Sequence, residues 1–436
     1  MINELSNKLQ ELFEVKTKDL SIKSGLVQRS SKLTGSILAK GIVFGFQRNA
    51  DSSINQLTRM ISSFGISISE QGLDKRFSQK SANFFRLLLN EAISIFNAEN
   101  KIDSGLFKKL SDLKITDSTI ITLPYELINE WTGSGNRLGS KANSAMKISA
   151  TLSLKSGSLN IVLEDGFVQD KDSEIITSEI IEPQGLYIKD LGYYNNQYFE
   201  MIDKKGGYFS SRLKIQNKVI SHQGQTIDIV KLMKGKNAID KQVFVGKNKL
   251  PCRLLIMRLP EEIKKERLLK LQKEAVRKQQ KLSEKKISLS EFNIFITNIP
   301  VEKLSFNEVL VLMKARWQIE LLFKLWKSYC KLDESRSKKP YRILTELYAK
   351  MIGILISHQL MIIGFWNFID RSLFKAIKVI QDNVSVLVYA FNKGTEQIKE
   401  AINFITSIIK SCRIDKREQN PALFELISGH KEINYA

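Results

Sequence analysis

Three acidic residues far apart in the chain are the strongest candidates for chemistry: Asp117, Asp190 and Glu320. Asp117 lies inside LKITDSTIITLP, whose Ile, Leu and Thr residues predict a strand. Asp190 closes a second strand-like run, LYIKDLGYY. Polar residues that end apolar strands are where α/β sheets place functional groups. Glu320 sits in KARWQIELLFKLWKS, from Lys314 to Ser328. On a helix turning about 100° per residue, Arg316, Glu320 and Lys327 fall within about 40° of one another, and Ile319, Leu322 and Trp326 form a separate apolar face. Each acid alone has a plain alternative: an exposed strand-end aspartate, or an i,i+4 Arg–Glu pair worth a few tenths of a kcal/mol. Together they are the donor set for two Mg²⁺ ions about 3.5–4 Å apart, which activate the attacking oxygen and stabilise the leaving oxygen in phosphoryl transfer. Hard oxygen donors select Mg²⁺, with Mn²⁺ as the alternative.

The rest of the composition narrows the choice. With only three histidines, His222, His358 and His430, a zinc site or a Ser–His–Asp triad has poor support. Cys252, Cys330 and Cys412 are odd in number and lack metal-ligand spacing, so a reduced, cytoplasmic chain is expected. A formal net charge of +21 over 436 residues predicts a polyanionic partner, nucleic acid before an anionic membrane. The opening MINELSNKLQ is charged and has no apolar run, unlike a signal peptide. The most apolar stretch, Met351 to Trp366, is shorter than a bilayer span and carries His358 and Gln359. It predicts a buried core helix and no membrane partner.

The elements that must position these residues follow from the hydrophobic period. Residues 1–105 read as helical. Ser53 and Gln56 have capping-box spacing ahead of Ile54, Leu57, Ile61 and Phe64. Gly65 breaks the pattern. Ser67 and Glu70 then predict a second capped helix carrying Gln71, Asp74, Lys75 and Arg76, with Leu73 and Phe77 on its apolar face. Two helices around a glycine turn are either a DNA-reading helix-turn-helix or an ordinary hairpin.

Residues 106–213 change to strands, over Leu113–Leu123, Ala145–Leu154, Leu159–Leu163, Leu186–Asp190 and Tyr208–Leu213. Strands first, then strand–helix alternation, predict a mixed α/β sheet. Residues 214–290 read as added β structure with a charged helix, where 261–286 holds ten Lys/Arg against five Glu and reads as a solvated face ahead of a direct DNA contact. Phe292–Thr297 returns as a strand in a second core segment, 291–340. Residues 341–436 are mostly helical.

At this point the chain resembles the bacterial DDE transposases of the insertion-sequence-four family. Asp117-Ser118-Thr119 matches an Asp-(Gly/Ser)-Thr motif, and Asp190-Leu191-Gly192-Tyr193 matches Asp-x-Gly-Tyr. Arg316, Glu320 and Lys327 match a Tyr-(2)-Arg-(3)-Glu-(6)-Lys signature, in which Met313 stands at the Tyr position and offers no hydroxyl. YFSSRL at Tyr208–Leu213 and ITN at Ile296–Asn298 are similar as well. The likeness runs from about residue 40 to 350.

The resemblance implies an RNase H-like catalytic sheet flanked by helices and interrupted by a largely β insertion. It implies that Asp117, Asp190 and Glu320 hold two Mg²⁺ ions, that DNA is cut at terminal inverted repeats, and that the freed 3′-hydroxyls join target DNA. Arg316 and Lys327 would grip phosphates, and Arg212, Lys75 and Arg76 are further DNA-contact candidates. A homodimer on DNA is expected, with the C-terminal helices as the place for protein contacts. Some family members use a Trp in the insertion to manage a DNA hairpin. None of Trp131, Trp317, Trp326 and Trp366 lies in 214–290. Two other readings remain: a catalytically weakened, transposase-derived DNA-binding protein, suggested by Met313, and a structure-specific nuclease with the same core.

Overall fold

A computed structural model describes residues 1–29, 32–96, 102–135, 143–366, 368, 370–415 and 426–427; His430 lies outside them. Among the described residues, the β-branched and apolar runs form nine strands: β1 Leu113–Thr122, β2 Ala145–Ser153, β3 Leu159–Asp165, β4 Leu186–Lys189, β5 Tyr208–Arg212, β6 Val219–Ile220, β7 Ala238–Val245, β8 Leu250–Arg258 and β9 Phe292–Thr297. They join in one sheet, ordered β3-β2-β1-β4-β5-β9-β8-β7-β6. β1 is antiparallel to β2 and parallel to β4, β4 is parallel to β5, and β5 is antiparallel to β9. This mixed α/β architecture agrees with an RNase H-like core. Segment 214–290 does not build a sheet of its own. It supplies β6, β7 and β8, and β8 pairs with β9 so that the core sheet simply continues.

Side chains alternate across the sheet with period two, and the two faces feed two cores. Leu113 and Ile115 of β1, Leu186 and Ile188 of β4, Leu255 of β8 and Phe295 of β9 enter the larger core with the helices. Tyr187, Phe209, Leu254, Ile256 and Ile296 point the other way, into a smaller core.

The N- and C-terminal helical regions pack into one body rather than standing apart. Helix Pro340–Phe365 runs through it, packed by helices Gly35–Arg48, Gln79–Ile95, Leu373–Phe391 and Thr395–Ile409. Gln47 Nε2 donates to Ser357 Oγ at 2.9 Å across this junction. Pro340–Phe365 is long and apolar enough to cross a bilayer, yet 89% of its most apolar window is buried inside the protein, as expected for a core helix. The charged stretch divides into helices Glu261–Arg277 and Glu284–Leu289, and the first buries none of its residues.

The helix-turn-helix expectation is only half met. Helix Ile54–Ser62 starts with the Ser53–Gln56 capping box. The second helix is capped by Ser69, not Ser67, and spans only Glu70–Asp74. Gly72 lowers helix propensity in this turn, and Ser78 opens the next helix, Gln79–Ile95, with its own capping box. The chain therefore has no room for a longer second helix, and Lys75 and Arg76 follow it rather than ride on it. Asp74 pairs instead with Lys339 and Arg342.

Ile352 is fully buried at the centre of helix Pro340–Phe365. Ile352→Ala is expected to destabilise the protein by about 2–5 kcal/mol, read as a lowered denaturation midpoint. An unchanged midpoint would mean that this helix does not carry the core.

Candidate active site

The two aspartates are continuations of apolar alternation. Leu113, Ile115 and then Asp117 share one face of β1; Leu186, Ile188 and then Asp190 share the same face of β4 and its end. Thr116↔Lys189 is the last register pair of these parallel strands, and each aspartate follows it by one residue. Neighbouring strands lie about 4.8 Å apart, so the register sets the two carboxylates side by side where the larger core ends.

The third acid arrives on helix Trp317–Ser328. Its buried Ile319, Leu322, Phe323, Leu325 and Trp326 dock it on the same core, against β1. The run from Lys314 to Ser328 is not one helix. Helix Phe306–Lys314 ends first, the hydrogen bonding tightens to Ala315 N–Leu312 O and Gln318 N–Ala315 O, and Arg316 caps the second helix. Arg316 keeps right-handed helical dihedrals, φ −51° and ψ −31°, so its i,i+4 relation to Glu320 survives the break.

All three carboxylates converge on the Arg316 guanidinium. Nη1 lies 3.8 Å from Asp117 Oδ2 and pairs closely with Glu320 Oε1, while Nε lies 3.9 Å from Asp190 Oδ1. Arg316 is 17% exposed and Asp117 20%, against 30% for Glu320 and 41% for Asp190. Burial pushes the Asp117 carboxyl up to about 6, and the Asp190 and Glu320 charges add to the rise. The Ser118 backbone N–H and Arg316 oppose it. Asp117 thus sits in a site with more negative charge than its one cation balances.

Among the described residues, no three His, Cys, Asp or Glu side chains converge tightly enough to enclose a metal ion. The acids ring a guanidinium instead. As donors they suit a hard divalent cation, being three carboxylates with uncompensated charge.

The other expected site residues are dispersed. Lys327 Nζ donates to the Ile120 carbonyl of β1 at 3.2 Å. Arg212 ends β5 exposed, and its charge adds to the burial that lowers the proton affinity of the Arg267 guanidinium. Lys75 and Arg76 lie in the N-terminal helical region, between helices Glu70–Asp74 and Gln79–Ile95. Met313 is buried in the larger core.

Sequence reasoning missed a layer of buried charge on the other sheet face. Lys147 of β2 and Lys189 of β4 are almost completely buried and pair with Asp170 at 2.7 Å and Glu179 at 2.8 Å. The buried Tyr193 ring lies between them, 5.8 and 6.0 Å from the two ammonium groups. The available signal was a lysine at an inward position in each of the apolar runs AMKISATLS and LYIK.

Comparison with known proteins decides the family. The transposase DDE domain family matches residues 108–356, a span holding all three acids. This chain belongs to that family. It is 29% identical over 446 residues to the transposase for insertion sequence element IS231B of Bacillus thuringiensis subsp. berliner, covering 95% of this chain and 93% of the relative. It is 26% identical over 442 residues to the transposase for IS1151 of Clostridium perfringens, covering 93% and 90%. A transposase for IS421 of Escherichia coli is 23% identical over 344 residues, 76% of this chain. The chain is thus a bacterial DDE-type insertion-sequence transposase.

The raised Asp117 value gives this transposase a pH signature. Above pH 6 the folded, metal-free protein holds an ionised Asp117 at a cost; between about 4 and 6 the folded state binds the extra proton, so stability falls as pH rises through that window. Asp117→Asn is expected to raise the thermal midpoint by roughly 2–5 °C at pH 7.5, with the gain shrinking below about pH 6 and vanishing below about pH 4. A gain independent of pH would remove Asp117 ionisation as the cause.

Proposed function

We propose that this transposase cleaves DNA at the terminal inverted repeats of an insertion sequence and joins the 3′-hydroxyl ends to target DNA, with Asp117, Asp190 and Glu320 as metal ligands. The single observation that carries this reading is the meeting of three acids, from two strands and a helix, around one cationic side chain. Two Mg²⁺ or Mn²⁺ ions bound there would activate the attacking oxygen and stabilise the leaving one. The chain's own groups do the rest. Asp117 and Asp190 offer carboxylates from adjacent strands, and Glu320 closes the site from the helix. Arg316 gives up the centre of the acid ring and turns its fork to a DNA phosphate, which a guanidinium binds in bidentate fashion. Lys327 uses one of its three donors on Ile120 O and keeps others for phosphate.

Arg212, beside Arg267, and Lys75 and Arg76 extend the phosphate-binding surface, and the +21 net charge supplies salt-sensitive, sequence-independent affinity. Within this reading, residues 1–105 recognise the ends, 106–213 and 291–340 form the catalytic core around the 214–290 insertion, and 341–436 serve a dimer that pairs two ends. The work is cytoplasmic, on the nucleoid. The buried Met313 favours the second reading, a catalytically weakened DNA-binding protein, because no hydroxyl is available at that position.

A supercoiled plasmid carrying the element's ends, incubated with Mg²⁺ and a target plasmid, separates the readings. Nicking followed by strand joining supports the transposase reading. Nicking without joining indicates a nuclease, and binding without nicking indicates the weakened protein. Asp117→Ala, Asp190→Ala and Glu320→Ala are each expected to lower nicking by about 10³-fold or more while leaving end binding intact.

Arg316→Ala is expected to act in opposite directions on metal and DNA. Removing a competing cation about 4 Å from the carboxylates should tighten Mn²⁺ binding by roughly tenfold, while phosphate-dependent nicking falls. Weaker Mn²⁺ binding in this variant would contradict a place for Arg316 where divalent charge must go.

A further inference from the structure

We propose that Asp170 is a positioning residue: its one carboxylate ties β1, just past Asp117, to the turn that follows Asp190. The inference rests on the reading of those aspartates as metal ligands. Asp170 begins the turn Asp170–Asp172 that follows β3. Its Oδ1 accepts a hydrogen bond from Ser118 Oγ at 2.9 Å, and Ser118 directly follows Asp117. Its Oδ2 lies against Gly192, two residues past Asp190, so closely that a β-carbon on Gly192 would stand 2.2 Å from it. One side chain therefore touches both aspartate-bearing segments from the sheet face opposite the acids.

Asp170 is itself held. Lys147 Nζ pairs with Oδ1 at 2.7 Å, donates to Val168 O at 3.1 Å, and is only 2% exposed. A buried ammonium keeps the carboxylate in place because separating the pair would strand a charge out of water. The preceding residues are tied as well. Lys189 Nζ donates to Thr116 Oγ1 at 2.9 Å, and these two residues directly precede Asp190 and Asp117. Lys189 is in turn paired with Glu179, which is 6% exposed. Each aspartate is thus bracketed, one cross-strand bond before it and the Asp170 carboxylate after it. This arrangement explains the glycine in Asp-x-Gly-Tyr: the space of its missing side chain is filled by an Asp170 oxygen.

The test is direct Mn²⁺ binding to the full-length, DNA-free protein, followed by the electron paramagnetic resonance of free Mn²⁺, with thermal melting as the check on folding. Asp170→Ala is expected to weaken Mn²⁺ binding about tenfold in a protein that still melts cooperatively, the usual size for a group that orients a ligand. Gly192→Ala is expected to do the same by displacing Asp170. The double variant Asp170→Ala/Gly192→Ala should bind no more weakly than Asp170→Ala, because the clash has gone with the carboxylate. Asp170→Asn keeps the acceptor for Ser118 and the bulk beside Gly192, and should recover affinity to within about threefold of the parent.

Unchanged Mn²⁺ affinity in folded Asp170→Ala, or losses that simply multiply in the double variant, would overturn the inference. If Asp170→Ala does not fold, Ser118→Ala removes one tie alone; a severalfold loss supports the inference and an unchanged affinity overturns it. Asp117→Ala separates the two levels of the argument. Its loss of Mn²⁺ binding alongside an unaffected Asp170→Ala sinks only the positioning role, whereas Mn²⁺ binding that survives Asp117→Ala sinks the metal-ligand reading and this inference together.

Discussion

Three carboxylates held within reach of a single guanidinium are a repulsive arrangement, and the structure depends on forces elsewhere to maintain it. At an effective dielectric near 20, two unit charges about 4 Å apart interact by about 4 kcal/mol. One Arg316 charge cannot cancel three acidic ones. The opposing force is not local. It comes from the backbone ladder between β1 and β4 and from the apolar residues just before each aspartate, which place Asp117 and Asp190 together as the price of a well-formed sheet. Helix Trp317–Ser328 contributes Glu320 in the same way, through burial of Ile319, Leu322 and Trp326.

Burial also decides how the charge is divided. Asp117 is the most enclosed of the three and its carboxyl is pushed up to about 6, while Asp190 and Glu320 are wetter. A site that is costly without a divalent cation is one that gains on receiving it. Arg316 lowers this cost in the metal-free protein, and its long, planar side chain can leave without disturbing the backbone that carries the acids. In the proposed function the same residue would have a second use on phosphate, where its fork geometry suits two oxygens at once.

Much of this was legible in the sequence because period and motif carry it. The runs LKITDSTIITLP and LYIKD marked β1 and β4 and carried Asp117 and Asp190 with them. KARWQIELLFKLWKS marked the docking face of the third element. What was not legible depends on contacts between distant segments. Nothing local shows that Thr116 pairs with Lys189, that Arg316 caps a helix rather than lying inside one, or that the N-terminal helices pack around Pro340–Phe365. The second capping box failed locally: Ser69, not Ser67, accepts the capping bond, from Gly72 N, and Ser78 already opens the next helix. Asp170 carried no signal at all, because its partners Ser118, Lys147 and Gly192 come from three other elements.

The three acids are not equivalent in how they are held, and this asymmetry bears on how the site can work. Asp117 and Asp190 sit at neighbouring strands, cross-tied before them by the Lys189–Thr116 hydrogen bond and after them by the Asp170 carboxylate, so their separation is fixed by the sheet. Glu320 reaches them only through its helix and the Arg316 contact, with a tight turn just upstream at Ala315. Moving an aspartate would break strand pairing and strand a buried lysine. Moving Glu320 requires only a rotamer change or a small shift of one helix on an apolar face. Under the proposed function, a rigid pair with an adjustable third ligand would suit a site that must accommodate an attacking oxygen, a phosphate and a leaving oxygen in turn, because the fixed pair keeps the reference geometry while the third follows the substrate.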